Sequence, residues 1–117
     1  MKTPPCCASD PSVEGELEEE LKTELDKIPN EETLEKYSEF LFSLAHPIRL
    51  KIASLLLIRD HCVCELTQLL GKEPNLVSHH LTVMRKNGIV TPYMSSKWKY
   101  YKLNETAAQI LKGIEKI

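Results

Sequence analysis

The sequence has no long apolar run and little glycine. No stretch of this 117-residue chain approaches the ~18 consecutive apolar residues that a membrane-spanning helix needs, and its beginning lacks the basic region and apolar block of a signal peptide. With four glycines it has no glycine-rich phosphate loop. It also lacks paired carboxylates in a cleft context and a nucleophile with a positioned base. We therefore expect a cytoplasmic protein that is not an enzyme and has no membrane partner.

The net charge of −2 averages two unlike segments of the chain. Residues 1–39 carry twelve acidic and four basic residues, whereas residues 40–117 carry five acidic and eleven basic residues. The net charges are therefore −8 and +6. A basic body indicates a surface that faces nucleic acid. An acidic leader alone is more often a solvated charge run.

The four cysteines form two close pairs, Cys6 with Cys7 and Cys62 with Cys64. Disulfide frameworks are rare in the reducing cytoplasm, so metal ligation or redox chemistry is the leading interpretation. Three alternatives stay open. In the first, Cys62 and Cys64 are inert core residues. In the second, one of them forms a redox-switching disulfide with the N-terminal arm. In the third, Cys6 and Cys7 belong to a tail that takes no part in the site.

Residues 1–30 are predicted to form a flexible cysteine-bearing arm and an acidic helix. Residues 1–13 contain three prolines and have no apolar periodicity, which indicates a mobile arm. Residues 14–28 are rich in helix formers and carry one apolar stripe, and Pro29 ends this helix. Residues 31–117 then form the main domain.

The main domain begins with two predicted helices, Glu31 to about Ala45 after an Asn30 N-cap, and Pro47 to about Arg59 after a His46 N-cap. A short third helix, residues 63–70, is predicted to bury four apolar residues: Val63, Leu66, Leu69 and Leu70.

The third and fourth helices are joined by a short turn. Gly71 fits a left-handed cap, and Pro74 begins a helix of about a dozen residues that Gly88 closes. Its inward face consists of three residues at helical spacing: Val77, Leu81 and Met84. Two helices joined by a short turn with glycine predict a helix-turn-helix.

Strand-forming residues follow Gly88 in two runs, which predict a short hairpin with Lys97 and Lys99 at or beside its tip. Its aromatic residues are expected in the strand core: Trp98, Tyr100 and Tyr101. Asn104 can cap a last helix whose apolar stripe is too wide for a solvent-facing helix. We therefore expect that helix to have a partner.

Four segments carry a resemblance to a known family. They are LAHPIRLKI (44–52), CVCEL (62–66), LVSHHLTVMRKNGIV (76–90) and KWKYYKLN (97–104). In this order and spacing, the chain from about residue 31 resembles the ArsR/SmtB family of metalloregulatory repressors. The resemblance implies a mainly α fold with a small β-hairpin, a winged helix-turn-helix. It also implies a two-fold dimer made by the first and last helices.

The resemblance assigns the cysteines to an effector site. The Cys62-Val63-Cys64 segment looks like the thiolate site of the arsenic-sensing and the cadmium/lead-sensing members, which also use arm cysteines. It implies that Cys6, Cys7, Cys62 and Cys64 bind a thiophilic ion: As(III), Cd(II), Pb(II) or Zn(II). This arm departs from the pattern in having no spacer between its cysteines. The Asp/His/His/Glu zinc site of other members has no counterpart, because no histidine follows His80.

The spacing of Cys62 and Cys64 constrains how they bind an ion. Side chains at i and i+2 of a helix point ~200° apart, so one of the two must lie outside a regular helix to share an ion. We expect His61 and Cys62 in the preceding turn, or an unwound first turn once the ligand binds. Ion binding is then predicted to disturb the helix that supports the recognition helix.

The fourth helix has the polar face of a recognition helix. Five of its residues are predicted to reach bases or phosphates in a major groove: Asn75, Ser78, His79, Thr82 and Arg85. Lys97 and Lys99 are predicted to contact the DNA backbone from the wing. A dimer places its recognition helices ~34 Å apart, which predicts an inverted-repeat operator in double-stranded DNA. The alternative function is a thiol-based redox-sensing regulator of the same fold.

Overall fold

The structure is a computed structural model that describes residues 11–117, with the side chains of residues 18–117. The chain divides into two compact units, one that ends at Glu35 and one that spans Lys36–Ile117. The predicted ligands Cys6 and Cys7 lie outside the described residues. Within residues 11–117 no single helix is long and apolar enough to cross a membrane. One consecutive pair, Glu31–Leu44 with Pro47–Ile58, reaches that standard together by length and composition only, with an 88° bend between its members.

The first helix, α1, spans Pro11–Leu25. The predicted limits of 14–28 are wrong. The helix begins at Pro11, inside the predicted mobile arm of residues 1–13, and the chain after Leu25 continues as a turn in which Ile28 N–H donates to the carbonyl of Leu25 (3.4 Å). Pro29 disfavours a helical Ile28, since the residue before a proline avoids the helical region. Helix α2 spans Glu31–Leu44, and Asn30 Oδ1 accepts from Thr33 N–H (2.8 Å) as the predicted N-cap.

Helix α3 spans Pro47–Ile58, and its predicted cap is confirmed because His46 Nδ1 accepts from Ile48 N–H (3.1 Å). Helices α4 (Val63–Leu70) and α5 (Pro74–Lys86) form the predicted helix-turn-helix. Gly71 ends α4 at a φ of +63°, a left-handed conformation that glycine adopts without steric cost.

The wing is a three-stranded antiparallel sheet rather than a two-stranded hairpin. Strands β2 (Val90–Ser95) and β3 (Trp98–Leu103) form the predicted hairpin. The two-residue strand β1, His61–Cys62, pairs with the other edge of β3 and gives the order β1-β3-β2. The sequence gave no sign of β1, because two residues are too few to show an alternating pattern. Cys62 therefore lies in a strand, not in the predicted turn.

One hydrophobic core fills the space between α3, α4, α5, the sheet and α6 (Glu105–Ile114). Two burial predictions are wrong. Leu69 is 52% exposed, because Leu66 and Leu70, four residues apart, form the buried face of α4 and Leu69 lies to one side of that face. Trp98 is also 52% exposed, because it pairs with Ser95 at the tip of the hairpin, whereas Tyr101 further along β3 is buried.

Candidate functional site

Cys62 occupies the N-cap position of α4 with an extended backbone. Its backbone N–H donates to Glu65 Oε1 (3.2 Å), and its Sγ–H donates to the same oxygen (3.5 Å). Cys64 lies in the first turn of α4. The prediction that one cysteine of the pair lies outside the regular helix is confirmed.

The carboxylate of Glu65 is held on its other side by Arg59. Arg59 Nη2 lies 2.8 Å from Glu65 Oε2, and Arg59 Nη1 also donates to the carbonyl of Asp60 (3.1 Å). The hydrogen bond from Arg59, followed by that from Cys62 N–H, lowers the pKa of Glu65 to about 2. Glu65 is therefore an anion beside the Cys62 thiol at neutral pH.

Cys64 has different neighbours from Cys62. Its exposed thiol lines an open groove of about 410 Å³ beside the helix-turn-helix turn, together with Thr67, Gly71 and Pro74. Within the described part of the chain, no group of three or more His, Cys, Asp or Glu residues is arranged to hold a metal ion. The two thiols at the start of α4 are therefore two candidate metal ligands. A complete metal site needs further ligands from other groups.

The cysteine segment is joined to both strands of the wing hairpin. In β1, Cys62 pairs with Tyr100 of β3. From β2, Tyr93 Oη donates to Asp60 Oδ2 (2.6 Å), which raises the pKa of Tyr93, and the Tyr93 ring stacks on that of Tyr100 with centroids 6.0 Å apart. A displacement of Cys62 therefore acts on the wing as well as on α4.

The recognition helix α5 separates its apolar and polar faces cleanly. Its predicted inward residues are fully buried: Val77, Leu81 and Met84. The five predicted DNA contacts on this helix are all exposed: Asn75, Ser78, His79, Thr82 and Arg85. Thr82 Oγ1 donates to the carbonyl of Ser78 (2.9 Å), so its lone pairs remain for an external donor. The adjacent histidines diverge as expected, with His79 exposed and His80 buried.

The wing presents its lysines at and beside the tip. Lys97 lies in the turn between β2 and β3 with its Nζ 5.4 Å from the Trp98 ring centroid. Lys99 is exposed on β3 with its Nζ 5.7 Å from the ring centroid of Tyr101. Contact with aromatic faces limits the directions in which these long side chains extend.

The sequence reasoning missed Glu65 with its partner Arg59, and Asp60 with its partner Tyr93. A signal was present, because Cys62 and Glu65 have the spacing of an N-cap and an N3 glutamate, as in a capping box. Cysteine in place of the usual serine or threonine obscured it. The hydrogen bond between Tyr93 and Asp60 is a tertiary contact without a local signature, and Arg59 lies six residues from Glu65, which is outside the i+3 and i+4 spacings of a helix.

Comparisons with known proteins agree with this geometry. Residues 46–91 match the family model for bacterial regulatory proteins of the arsR family. The chain is 32% identical over 88 residues to an uncharacterized HTH-type transcriptional regulator of Methanocaldococcus jannaschii, covering 74% of this chain and 99% of the relative. It is 33% identical over 75 residues to the arsenical resistance operon repressor of Bacillus subtilis, covering 63% of this chain and 71% of that repressor.

The solved structure of the transcriptional repressor BigR from Xylella fastidiosa matches with a TM-score of 0.63 at 31% identity, covering 75% of this chain and 95% of that one. The fold and the comparisons define a winged helix-turn-helix transcriptional repressor, a DNA-binding protein and not an enzyme. The chain belongs to the ArsR/SmtB family of repressors.

Proposed function

We propose that this repressor binds an inverted-repeat operator as a homodimer and is released when a thiophilic ion binds its cysteine thiolates. The ion is As(III), Cd(II), Pb(II) or Zn(II), and the ligands come from Cys6, Cys7, Cys62 and Cys64. One observation carries the proposal: two thiols stand at the start of α4, the helix that packs on the recognition helix α5. Thiolate-rich sites select soft ions over hard cations. As a DNA-binding protein it acts where the DNA is, which we take to be the cytoplasm.

The position of the thiols supports a coupling between the ion site and DNA. Cys62 lies in β1 and Cys64 in the first turn of α4, so an ion that binds both sulfurs joins the strand to the helix, and we expect it to change the backbone between them. That change reaches α5 through α4 and the wing through β3. A coupling free energy of roughly 1–3 kcal/mol lowers DNA affinity by about 5- to 150-fold.

The arm is proposed to complete the ligand set. Either Cys6 or Cys7 added to Cys62 and Cys64 makes a three-sulfur site, and both make a four-sulfur site. Ordering the arm costs roughly 1–2 kcal/mol for each residue fixed. Sulfur–metal bonds can offset this cost, whereas weak contacts cannot.

Exposed apolar residues support the proposed dimer. Helices α2 and α6, with the residues after α6, leave large apolar side chains in solvent: Tyr37, Leu41, Phe42, Ile114 and Ile117. Burying such faces against a second copy removes apolar surface from water. A two-fold arrangement gives two recognition helices that read the two halves of an inverted repeat.

The proposed DNA contacts divide by role. Asn75, Ser78 and His79 stand on the exposed face of α5 and are assigned to base edges or nearby phosphates. The remaining contacts are assigned to the backbone or to bases at the end of the helix: Thr82, Arg85, Lys97 and Lys99.

The test is a Cys62→Ser, Cys64→Ser double variant, with a Cys6→Ser, Cys7→Ser variant as its counterpart in the arm. Operator affinity is measured on reduced protein with and without Cd(II) and As(III), while sulfur-to-metal charge-transfer absorbance is recorded. We expect the unchanged chain to lose operator affinity by at least several-fold with an ion. The 62/64 variant should bind operator normally and ignore both ions. A full response by that variant to every thiophilic ion contradicts the proposal.

A redox-sensing function is the second candidate, because the exposed Cys64 thiol is accessible to oxidants. Under that function, peroxide lowers operator affinity in metal-free buffer, dithiothreitol restores it, and metal ions have no effect. The same titrations therefore separate the two candidates.

A further inference from the structure

The outer half of the wing hairpin, residues 93–100, lies outside the hydrophobic core. No residue of this half is buried, whereas Val90 and Tyr101, nearer the base of the hairpin, are buried. Lys97 and Lys99, which are proposed to contact DNA, both lie in the outer half. A hairpin end without buried side chains keeps a fixed direction only where other contacts hold it. The position of these lysines therefore depends on what supports residues 93–100.

One such contact crosses the sheet from β2 to the residue before β1. Tyr93 Oη donates to Asp60 Oδ2 at 2.6 Å, over a sequence separation of 33 residues. Strand β3 lies between β1 and β2, and its Tyr100 ring stacks on that of Tyr93 at an interplanar angle of 24°. Hydrogen bonds to a carboxylate are among the shorter and stronger ones in proteins. We call this hydrogen bond the Asp60–Tyr93 brace, since it holds the two edges of the sheet together.

The Asp60 end of the brace is fixed to the helix-turn-helix. Arg59 Nη1 donates to the carbonyl of Asp60 (3.1 Å), and Arg59 Nη2 binds Glu65 Oε2 on α4 (2.8 Å). Helix α4 in turn packs on the recognition helix α5. Cys62 lies two residues after Asp60. The hairpin is therefore connected to the helix-turn-helix through the same short segment that carries the first thiol.

We propose that Asp60 and Tyr93 are positioning residues that hold the wing hairpin in the direction in which its lysines reach DNA, and that link this direction to the cysteine segment. The inference rests on the proposed function, in which the wing contacts the operator, and deepens it. Without the brace the hairpin samples more directions, and ordering it on DNA costs conformational entropy. When an ion displaces Cys62, the brace passes that displacement to the hairpin.

The sign of one substitution separates this role from a simple electrostatic one. If the acidic Asp60 only lay near the DNA, Asp60→Ala would remove repulsion of the phosphates and raise operator affinity. If Asp60 holds Tyr93 in place, Asp60→Ala lowers operator affinity. The size of the effect is limited, because one exposed hydrogen bond contributes no more than its own net strength, which corresponds to roughly 2- to 10-fold in affinity.

The experiment measures operator affinity of the reduced, metal-free full-length chain for Tyr93→Phe, Asp60→Ala and the double variant. We expect each single variant to bind about 2- to 10-fold more weakly. The double variant should bind no more weakly than either single variant, because both changes remove the same bond. Thr91→Val is the matched control, since it removes a hydroxyl from the same face of β2, and it should bind like the unchanged chain. Far-UV circular dichroism should be the same for all variants, which shows that they fold.

Trp98 reports on the hairpin in the absence of DNA. It is the single tryptophan of the chain and lies at the hairpin tip, 52% exposed. We expect lower fluorescence anisotropy of Trp98 in Tyr93→Phe and in Asp60→Ala than in the unchanged chain, because a released hairpin moves on the nanosecond timescale. Unchanged anisotropy, unchanged operator affinity of Tyr93→Phe, additive losses in the double variant, or tighter operator binding by Asp60→Ala each overturns this inference alone.

A Cd(II) titration tests the link to the cysteines. The ratio of operator affinities without and with Cd(II) should be about 2- to 10-fold smaller in Tyr93→Phe than in the unchanged chain. Sulfur-to-metal charge-transfer absorbance should show that the variant still binds Cd(II). An unchanged ratio contradicts the link between the cysteine segment and the wing. If the unchanged chain responds to no thiophilic ion, the proposed ion response fails, and the metal-free measurements decide the role of the brace.

Discussion

The exposed face of α5 and the start of α4 handle polar side chains in opposite ways. On α5, Asn75, Ser78 and His79 project into solvent. At the start of α4, the Cys62 thiol, its backbone N–H and Arg59 all converge on one carboxylate. The first arrangement leaves side chains ready for an external partner. The arrangement at the start of α4 connects β1, α4 and the wing hairpin, so a change at the Cys62 thiol alters contacts of all three.

Among the substitutions considered, those of buried residues in α4 should lower the free energy of unfolding most. Replacing the fully buried Leu66 with alanine removes packing shared by α4 and the core, and we expect a loss of about 2–5 kcal/mol in the free energy of unfolding. Leu69→Ala on the same helix is the control, and its cost should be far smaller because Leu69 is half exposed. Urea unfolding measures both, and equal losses would refute the assigned orientation of α4.

Substitutions on the exposed face of α5 should lower operator affinity and leave the free energy of unfolding unchanged. An asparagine that pairs with an adenine edge contributes roughly 1–3 kcal/mol of discrimination, so Asn75→Ala should weaken operator binding by about 5- to 150-fold at constant salt. Its urea midpoint should not change, since Asn75 is exposed. Equal weakening on operator and on unrelated DNA of the same length would remove Asn75 from base reading.

The smallest effect is a pH dependence centred on His80, which is the buried counterpart of the exposed His79. Burial lowers the pKa of His80, and its neighbours His46, Arg49 and His79 lower it further. The His46 and His80 ring centroids are 4.7 Å apart. Because the folded-state pKa lies below the unfolded value of about 6.5, the unfolded chain binds more protons in acid.

The free energy of unfolding should therefore fall as pH decreases through about 6.5. His80→Gln should flatten this dependence, and His79→Gln should retain it. Urea unfolding at several pH values between about 7.5 and 5.5 tests the pair. A chain whose stability rises on acidification through this range would contradict the assignment.

Several features of the fold and site could be predicted because their causes are local. The caps at Asn30, His46 and Asn104 each bond an amide two or three residues away. The inward face of α5 follows from helical spacing of its apolar residues. The cysteine pair at the start of α4 was also predictable from local sequence, since Cys62 and Cys64 are only two residues apart.

Most of the missed features depend on residues far apart in the chain. Strand β1 exists because His61 and Cys62 pair with Tyr101 and Tyr100, some forty positions later. Asp60 likewise gains its hydrogen-bond partner Tyr93 from 33 positions later. Leu69 and Trp98 are large apolar residues of the kind found in cores, yet tertiary packing leaves each about half exposed.

The sequence by itself determined the order of the helices in residues 31–117, their caps and the helix-turn-helix, because hydrogen bonds and side-chain contacts within about four residues set these features. Tertiary packing decided the rest: which apolar residues are covered, and how the cysteine segment joins the wing. These outcomes depend on strand pairing and burial between distant segments, and an amino-acid pattern carries no record of which distant segment will be adjacent.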